Sequence, residues 1–565
     1  MMMNKGLLLL LGFALFTSCK EEKKTPSPEQ SSTVENSIVT PKKKPFVWAG
    51  ANIYFLLTDR FNNGDTTNDI NFERTEETGV LRGFMGGDLK GITAKIEEGY
   101  FTKLGINAIW FTPVVEQIHG ATDEGTGNSY GYHGYWTKDW TALDPNFGTR
   151  DDLETMVKTA HKNGIRVLMD VVLNHTGPVT EIDPVWPEEW VRTSPTCTFE
   201  NYETTTACTL VNNLPDIKTE SDEEVALPDH LLAKWKEEGR LSSELDELDL
   251  FFKRSGCSRS SKAYITKWLT DYVNDFGIDG FRVDTVKHAD ESAWSELYKQ
   301  ASIAFDTWKR KNPDAVLDDN PFYMVGEVYN YGISSGRAYD FGDKKVDYYN
   351  AGFKSLINFE LKTDAKKDYE TIFKKYNTLL QSKLYGKSVV NYLTSHDDGS
   401  PFDKERKDPY HAANVLLLTP GASQVYYGDE SSRNLTIEGA QGDATLRSYM
   451  NWNEIDSVPE TKKILAHWQK LGTFRANHPA VGAGTHKILS KAPYVFERTY
   501  TNSQYKDKVV VGLNLPKGKK SLPVKGFFGD ATKLHEAYSD TFVVVKNGKV
   551  ELENEFDIAL LELVE

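Results

Sequence analysis

Four short segments, spread over more than two hundred residues, each set a carboxylate or a histidine beside a run of β-formers: Asp170–His175 (DVVLNH), Gly280–His288 (GFRVDTVKH), Val325–Val328 (VGEV) and Asn391–Asp398 (NYLTSHDD). Each begins as a buried strand and ends on a residue able to do chemistry. Three acids delivered in this way, Asp284, Glu327 and Asp397, are what cleavage of a glycosidic bond by two carboxylates with an assistant requires. Arg282 and Asp284 are two apart, so on a strand both side chains point to the same face. A guanidinium beside a carboxylate suits a nucleophile, which must act as an anion.

Acids at the ends of separate strands imply a (β/α)8 barrel, in which the carboxyl ends of parallel strands build the site and the strands build the core. Strand patterns fall at Ile53–Leu57, Ala108–Thr112, Arg166–Val171, Phe281–Val283, Met324–Gly326, Val389–Leu393 and Ser423–Tyr427, mostly continuous apolar runs. The sixth strand is expected within Ala338–Leu356. Helical patterns lie between them, at Thr93–Leu104, Arg150–Asn163, Ser261–Phe276, Glu291–Arg310, Asp368–Leu380 and Pro459–Asn477. Residues 176–259 break the alternation with loop-like text and one short helix, Asp229–Glu238, and are expected to form an inserted domain after the third strand. The barrel is therefore expected in two parts, 48–175 and 260–484. From 485 to 565, short β runs separated by Gly, Asn and Lys turns predict an antiparallel β-sandwich.

The 565 residues carry 66 Lys+Arg against 82 Asp+Glu, a formal charge of −16. No basic stripe survives outside the N-terminal segment, which argues against nucleic acid as a partner and suits an uncharged substrate. At the N-terminus Lys5 precedes an apolar run, Gly6–Phe16, too short to span a bilayer and of signal-peptide length. It ends LFTSC, so residues 1–18 read as a lipoprotein signal and Cys19 as a lipobox-like, acylated cysteine. The competing reading is an ordinary secretory signal. Residues 19–47 are charged and rich in Ser, Thr and Pro, which describes a flexible tether. The expected location is the periplasmic or cell-surface face of an outer membrane, with the lipid anchor as the only membrane contact. Of Cys197, Cys208 and Cys257, the first two would close a short loop in an oxidising compartment.

Barrel, third-strand insertion, terminal sandwich and the four segments together resemble the α-amylase superfamily, glycoside hydrolase family 13, over the chain beyond Lys44. The resemblance implies that Asp284 is the nucleophile, Glu327 the general acid/base and Asp397 the acid that holds sugar hydroxyls. His175 and His396 match the histidines that hydrogen-bond the same sugar. In Gly131–Trp136 (GYHGYW), Tyr135 matches a stacking platform with His133 beside it, and Lys287 and His288 match residues of the leaving-group side. Two calcium sites are implied. The loop Asp59–Asp69 (DRFNNGDTTND) with Gly86–Asp88 nominates Asn63, Asp65, Asn68, Asp69, the Gly86 carbonyl and Asp88; an acid-rich turn without metal is the alternative. The second would use Asn174, Asp216 and the His288 carbonyl, unless Asn174 simply caps the strand end.

The segments LPDIKTE, LDLFF and YITKWLTDYV are most similar to secreted and periplasmic-type bacterial α-amylases. The expected activity is retaining, endo-acting hydrolysis of α-1,4 bonds in starch, glycogen and maltodextrins by a monomer. The alternatives are a glucan transferase or cyclomaltodextrinase-like enzyme of the same barrel, or a non-catalytic glycan-binding barrel; the three intact acids speak against the last. Neopullulanases carry a domain before the barrel and cyclodextrin glucanotransferases carry domains after the sandwich, so both are expected to fit less well.

Overall fold

Eight short runs close into a parallel barrel in the order in which they occur: β1 (Asn52–Leu56), β2 (Ala108–Phe111), β3 (Arg166–Val171), β4 (Gly280–Val283), β5 (Tyr323–Gly326), β6 (Ser355–Asn358), β7 (Ser388–Asn391) and β8 (Ala422–Tyr426). The computed structural model describes residues 44–123 and 125–564. The signal peptide, the lipidation residue Cys19 and residues 20–43 of the tether lie outside them. Lys44–Val47, grouped with the tether by composition, are described: Phe46 lies under the Arg166 guanidinium at 3.8 Å and edge-on to Trp48, which stacks on Tyr323 at 4.1 Å.

Every residue of β1 to β8 is buried, which is why the strands read as near-continuous apolar runs. Register carries the site. Arg282 on β4 pairs with Asp170 on β3 and with Val325 on β5, so the alternation of side chains turns Asp170, Arg282 and Asp284 towards one region.

The sixth strand lies later than expected. Only Ser355 and Leu356 of β6 fall in the anticipated window, which otherwise holds a two-strand ribbon (Tyr339–Asp340 with Lys345–Val346) and a helical turn at Tyr348–Ala351. The strand was hard to read because two of its four residues are polar; Asn358 donates to Asn391 Oδ1 at 2.8 Å instead of packing as an apolar group.

Helices fill the crossovers, with two departures from the pattern. The expected Thr93–Leu104 helix is broken: α1 (Leu89–Glu97) is followed by Gly99 at φ 72° and a separate turn at Tyr100–Lys103. Pro409–Leu418 is an additional helix, apolar nearly all round and buried, so it showed no amphipathic period. The insertion is also more helical than expected. Besides Asp229–Glu237 it contains the 15-residue Leu241–Ser255, which buries Leu248, Phe251 and Phe252 along one face. A Cys197–Cys208 disulfide closes its loop, while Cys257 remains a thiol 3.2 Å from Glu296 Oε1.

Beyond Gly484 the chain builds a six-stranded antiparallel sheet and a two-stranded one, Gly518–Pro523 with Lys549–Asn554. Val495, Val510 and Leu561 of the first pack with Leu522, Val550 and Leu552 of the second, giving this region a core of its own. Among the described residues no helix is long and apolar enough to cross a membrane.

Candidate active site

One buried guanidinium organises the carboxyl ends of β3, β4 and β5. Arg282 Nη1 donates to Asp284 Oδ1 at 2.7 Å and to Asp170 Oδ1 and Oδ2 at 3.0 and 3.2 Å. Its Nη2 lies 3.7 Å from Glu327 Oε2. Asp284 and Glu327 therefore flank a single cation, brought there by adjacent strands. Asp170 is held further by Trp110 Nε1 at 2.9 Å and the Tyr135 hydroxyl at 2.7 Å. Burial pushes the Asp170 carboxyl up, and the Arg282 charge with the Tyr135 and Trp110 donors opposes that and favours the anion.

Glu327 is poised differently. Burial pushes its carboxyl up to about 8, opposed by Arg282 and assisted by the negative charges of Asp284 and Asp397. Its Oε2 accepts from the Thr285 N–H at 2.9 Å. Thr285, immediately after Asp284, sits at φ 48°, in the left-handed region that a β-branched residue rarely adopts. That kink turns the chain at the end of β4 and aims its N–H at Glu327. Asp397 is more open: its side chain is 35% exposed, and it meets Ser395 Oγ at 3.1 Å and His396 Nδ1 at 3.7 Å.

The expected histidines are present, and much of their hydrogen bonding is internal. His175 Nε2 donates to the Tyr135 carbonyl at 3.1 Å, and His133 Nδ1 accepts the Tyr135 N–H at 3.0 Å. His396 stacks on Tyr135 at 5.2 Å, and its carbonyl accepts Arg447 Nε at 2.9 Å. Burial holds the pKa of all three imidazoles down, well down for His133 and His396. They act as neutral hydrogen-bonding groups. Lys287 reaches the Tyr339 hydroxyl at 3.2 Å with Tyr329 on its other side, and His288 Nδ1 donates to the Thr205 carbonyl of the insertion at 3.2 Å.

The two oxygen clusters differ in quality. In the first, Asn63 Nδ2 donates to Asp69 Oδ1 at 2.8 Å, and a Cβ on Gly86 would strike both, so these three converge. Asn63 Oδ1 and Asn68 Oδ1 are buried without a hydrogen-bond partner. Asp65 and Asp88 also serve local donors: Asp65 pairs with Lys90 at 2.6 Å, and Asp88 caps α1, accepting Gly91 N–H at 2.6 Å and Asp65 N–H at 2.8 Å. Those donors leave lone pairs on both carboxylates, so both stay within the expected ligand set. In the second cluster one end of the Asn174 amide lies 2.6 Å from the His288 carbonyl oxygen and 3.3 Å from Asp216 Oδ1. Asp216 Oδ2 is buried, accepts no hydrogen bond and lies 3.5 Å from Arg192 Nε. No group of three or more His, Cys, Asp or Glu side chains among the described residues is arranged to hold a metal, so both clusters depend on amide and main-chain oxygens as well.

Two contributors were not singled out in the sequence. Asp170 carried a signal, a charge inside a buried strand run and in register with Arg282. Arg447 carried none; it lies outside the four segments and pairs with Asp443 at 2.5 Å while holding the His396 main chain.

A closed eight-stranded barrel bearing paired acids at its strand ends defines a glycoside hydrolase. The family model described as "Alpha amylase, catalytic domain" matches residues 55–457, and the chain belongs to the α-amylase family, glycoside hydrolase family 13. It is 37% identical over 530 residues to the periplasmic alpha-amylase of Escherichia coli (strain K12), covering 84% of this chain and 73% of that one. It is 26% identical over 468 residues to a cyclomaltodextrin glucanotransferase of Thermoanaerobacterium thermosulfurigenes, covering 80% of this chain and 58% of that one. The fold is similar to that of an Anoxybacillus alpha-amylase, at 23% identity and a TM-score of 0.64, over 92% of this chain and all of that one. It is also similar to CldA, described as a cyclomaltodextrin glucanotransferase with a three-domain ABC distribution, at 21% identity and a TM-score of 0.62, over 91% of this chain and 99% of that one. The transferase relative matches at lower identity than the periplasmic alpha-amylase, 26% against 37%, in line with the expectation that transferases fit less well.

Glu327 generates a pH prediction. A general acid must hold its proton, so kcat/KM is expected to fall as pH rises through about 8. Asp397 is one of the charges that raise this group, so in Asp397→Asn the residual activity should fall at a lower pH than in the wild type. A basic limb at the same pH in both proteins would contradict the assignment of that limb to Glu327.

Proposed function

We propose that the chain is a retaining, endo-acting α-amylase that hydrolyses internal α-1,4-glucosidic bonds of starch, glycogen and maltodextrins. The observation that carries this reading is the placement of Asp284 and Glu327 on either side of Arg282, with the Glu327 carboxyl raised to about 8. In the first step Asp284 Oδ attacks the anomeric carbon while Glu327 gives its proton to the departing glycosidic oxygen. The C–O bond to the leaving sugar breaks as the bond to Asp284 forms. In the second step Glu327, now a carboxylate, takes a proton from water, whose oxygen attacks the same carbon and releases Asp284. Two inversions give retention, and the carboxyls must stand about 5–5.5 Å apart. Asp397 engages the hydroxyls of the distorted sugar, Tyr135 stacks on it, and His133, His175 and His396 contribute neutral hydrogen-bonding groups. Lys287 and His288 face the leaving chain. The 37% identity to a periplasmic alpha-amylase supports the hydrolase and an exported enzyme.

A second reading is a glucan transferase, in which an acceptor sugar replaces water in the second step. The transferase relatives and the three-domain CldA fold favour keeping it. Product analysis separates the two: a hydrolase gives linear maltooligosaccharides from amylose, while a transferase gives cyclic or redistributed products.

We further propose structural calcium at both oxygen clusters. Asn63, Asp65, Asn68, Asp69, Asp88 and the Gly86 carbonyl would hold one ion, and Asn174, Asp216 and the His288 carbonyl the other. The buried oxygens of Asn63, Asn68 and Asp216 that accept no hydrogen bond fit a hard cation, which takes oxygen ligands and has no redox role. At the second cluster an ion would tie the insertion to the end of β4. Cys19 is proposed as the acylated residue of an outer-membrane-type lipoprotein.

Four outcomes test these readings. Glu327→Gln should lose several orders of magnitude in turnover on maltodextrin yet recover in part on aryl glycosides whose leaving group needs no proton; equal loss on both would remove Glu327 from the acid role. Wild-type enzyme should release products first in the α-configuration while amylose loses its iodine colour early, and a β-anomer would overturn the double displacement. Chelation should lower the melting temperature, because an ion bound only to the folded state adds stability by mass action; an unchanged melting temperature together with no metal by elemental analysis would refute both ion sites. For the anchor, Cys19→Ala should move the enzyme from the membrane to the soluble fraction, and an unchanged distribution would refute acylation.

A further inference from the structure

Asp397 is the least confined of the three acids. Its side chain is 35% exposed, against 10% for Asp284 and 8% for Glu327. It meets its own sequence neighbours, Ser395 and His396. With 35% of the side chain open to solvent, its position depends also on how the main chain is held on either side. On the N-terminal side Arg447 grips the His396 carbonyl at 2.9 Å. On the C-terminal side stands Asp398, and its carboxylate is fully engaged. Lys362 Nζ and the Tyr392 hydroxyl, the latter at 2.6 Å, both donate to its Oδ2, and the Ser400 N–H donates to Oδ1 at 3.1 Å.

The three partners come from different places. Lys362 stands on the one-turn helix Leu361–Asp364 just beyond β6, and Tyr392 directly follows β7. Asp398 thus ties the ends of two adjacent strands together beneath the loop that carries Asp397. The tie continues towards the other acid. Tyr392 meets Phe359 edge-on at 5.4 Å, and Phe359 meets Tyr329, two residues after Glu327, at 5.4 Å.

We propose that Asp398, clamped between Lys362 and Tyr392, is a positioning residue that sets the place of Asp397 over the reacting sugar. The proposal rests on the reading of Asp397 as the third acid. Asp398 need not touch substrate; its carboxylate holds the loop so that the neighbouring, exposed carboxylate does not wander. Positioning of this kind is worth much in rate, since a misplacement of about 1 Å can cost about 100-fold.

Tyr392→Phe is the decisive variant. Burial and the adjacent Asp398 hold the Tyr392 phenol well above its ordinary range, so the substitution removes one hydrogen bond and no charge, and the ring stays against Phe359. Turnover on maltodextrin should fall by about 10- to 100-fold with KM changed by less than about threefold, and the melting temperature should stay near that of the wild type. The basic limb of kcat/KM should move to lower pH, in the direction set by Asp397→Asn, because an Asp397 that drifts away supports the Glu327 proton less. Lys362→Met gives an independent arm. Loss of a positive charge alone would move that limb to higher pH, whereas displacement of Asp397 moves it to lower pH; Lys362→Arg should restore both rate and limb. Wild-type rate and limb in Tyr392→Phe and Lys362→Met, with Asp397→Asn impaired, would overturn the positioning role and leave the reading of Asp397 standing. A rate loss with an unmoved limb and a lowered melting temperature would overturn it as well. An unimpaired Asp397→Asn would overturn the reading and the proposal together.

Discussion

The buried charge of Arg282 is the constraint on which the rest of the site depends. A guanidinium that is 1% exposed bears a large desolvation cost and persists only where anions compensate it. Here the compensation comes from Asp170 on β3 and Asp284 at the end of β4, with Glu327 after β5 close by. A barrel supplies that geometry because residues in register on adjacent parallel strands turn their side chains to the same face, as Arg282 and Asp170 do. A one-residue slip of β4 would turn Arg282 and Asp284 away from Asp170 and leave all three charges unpaired, so the chemistry and the strand register select the same arrangement.

One cation cannot satisfy three carboxylates equally, and that inequality separates the roles of the acids. Asp284 has the shorter contact, at 2.7 Å, while Glu327 stands at 3.7 Å among negative neighbours and in a buried place that favours its protonated form. Environment alone thus makes one carboxyl a candidate nucleophile and the other a candidate acid. The left-handed Thr285 between them belongs to the same device, since its N–H reaches Glu327 only because the chain turns sharply after Asp284.

Much of this was legible in the sequence, for reasons that particular residues make plain. The four segments combine β-forming runs with terminal polar groups, and strand parity alone sets Arg282 and Asp284 on one face. Asp170 could have been read in the same way, since a carboxylate within a fully apolar run needs a partner. The sixth strand was misplaced because Ser355 and Asn358 give it no apolar signature. The helix Leu241–Ser255 was overlooked among the loop-like text of the insertion, although Leu248, Phe251 and Phe252 recur at helical spacing. Arg447 and Lys362 were beyond reach, because their roles depend on contacts between segments far apart in the chain. The number of domains describes what surrounds a site and says little about whether water or a sugar completes the second step.

The central claim is that Asp284 forms the covalent bond to the sugar. A fluorinated α-glucosyl fluoride, which forms a glycosyl-enzyme readily and releases it slowly, can trap that species. Mass spectrometry of the proteolysed enzyme should then find one glycosyl adduct, on the peptide that contains Asp284. An adduct on Glu327 or Asp170, or inactivation with no adduct on any carboxylate, would contradict the account.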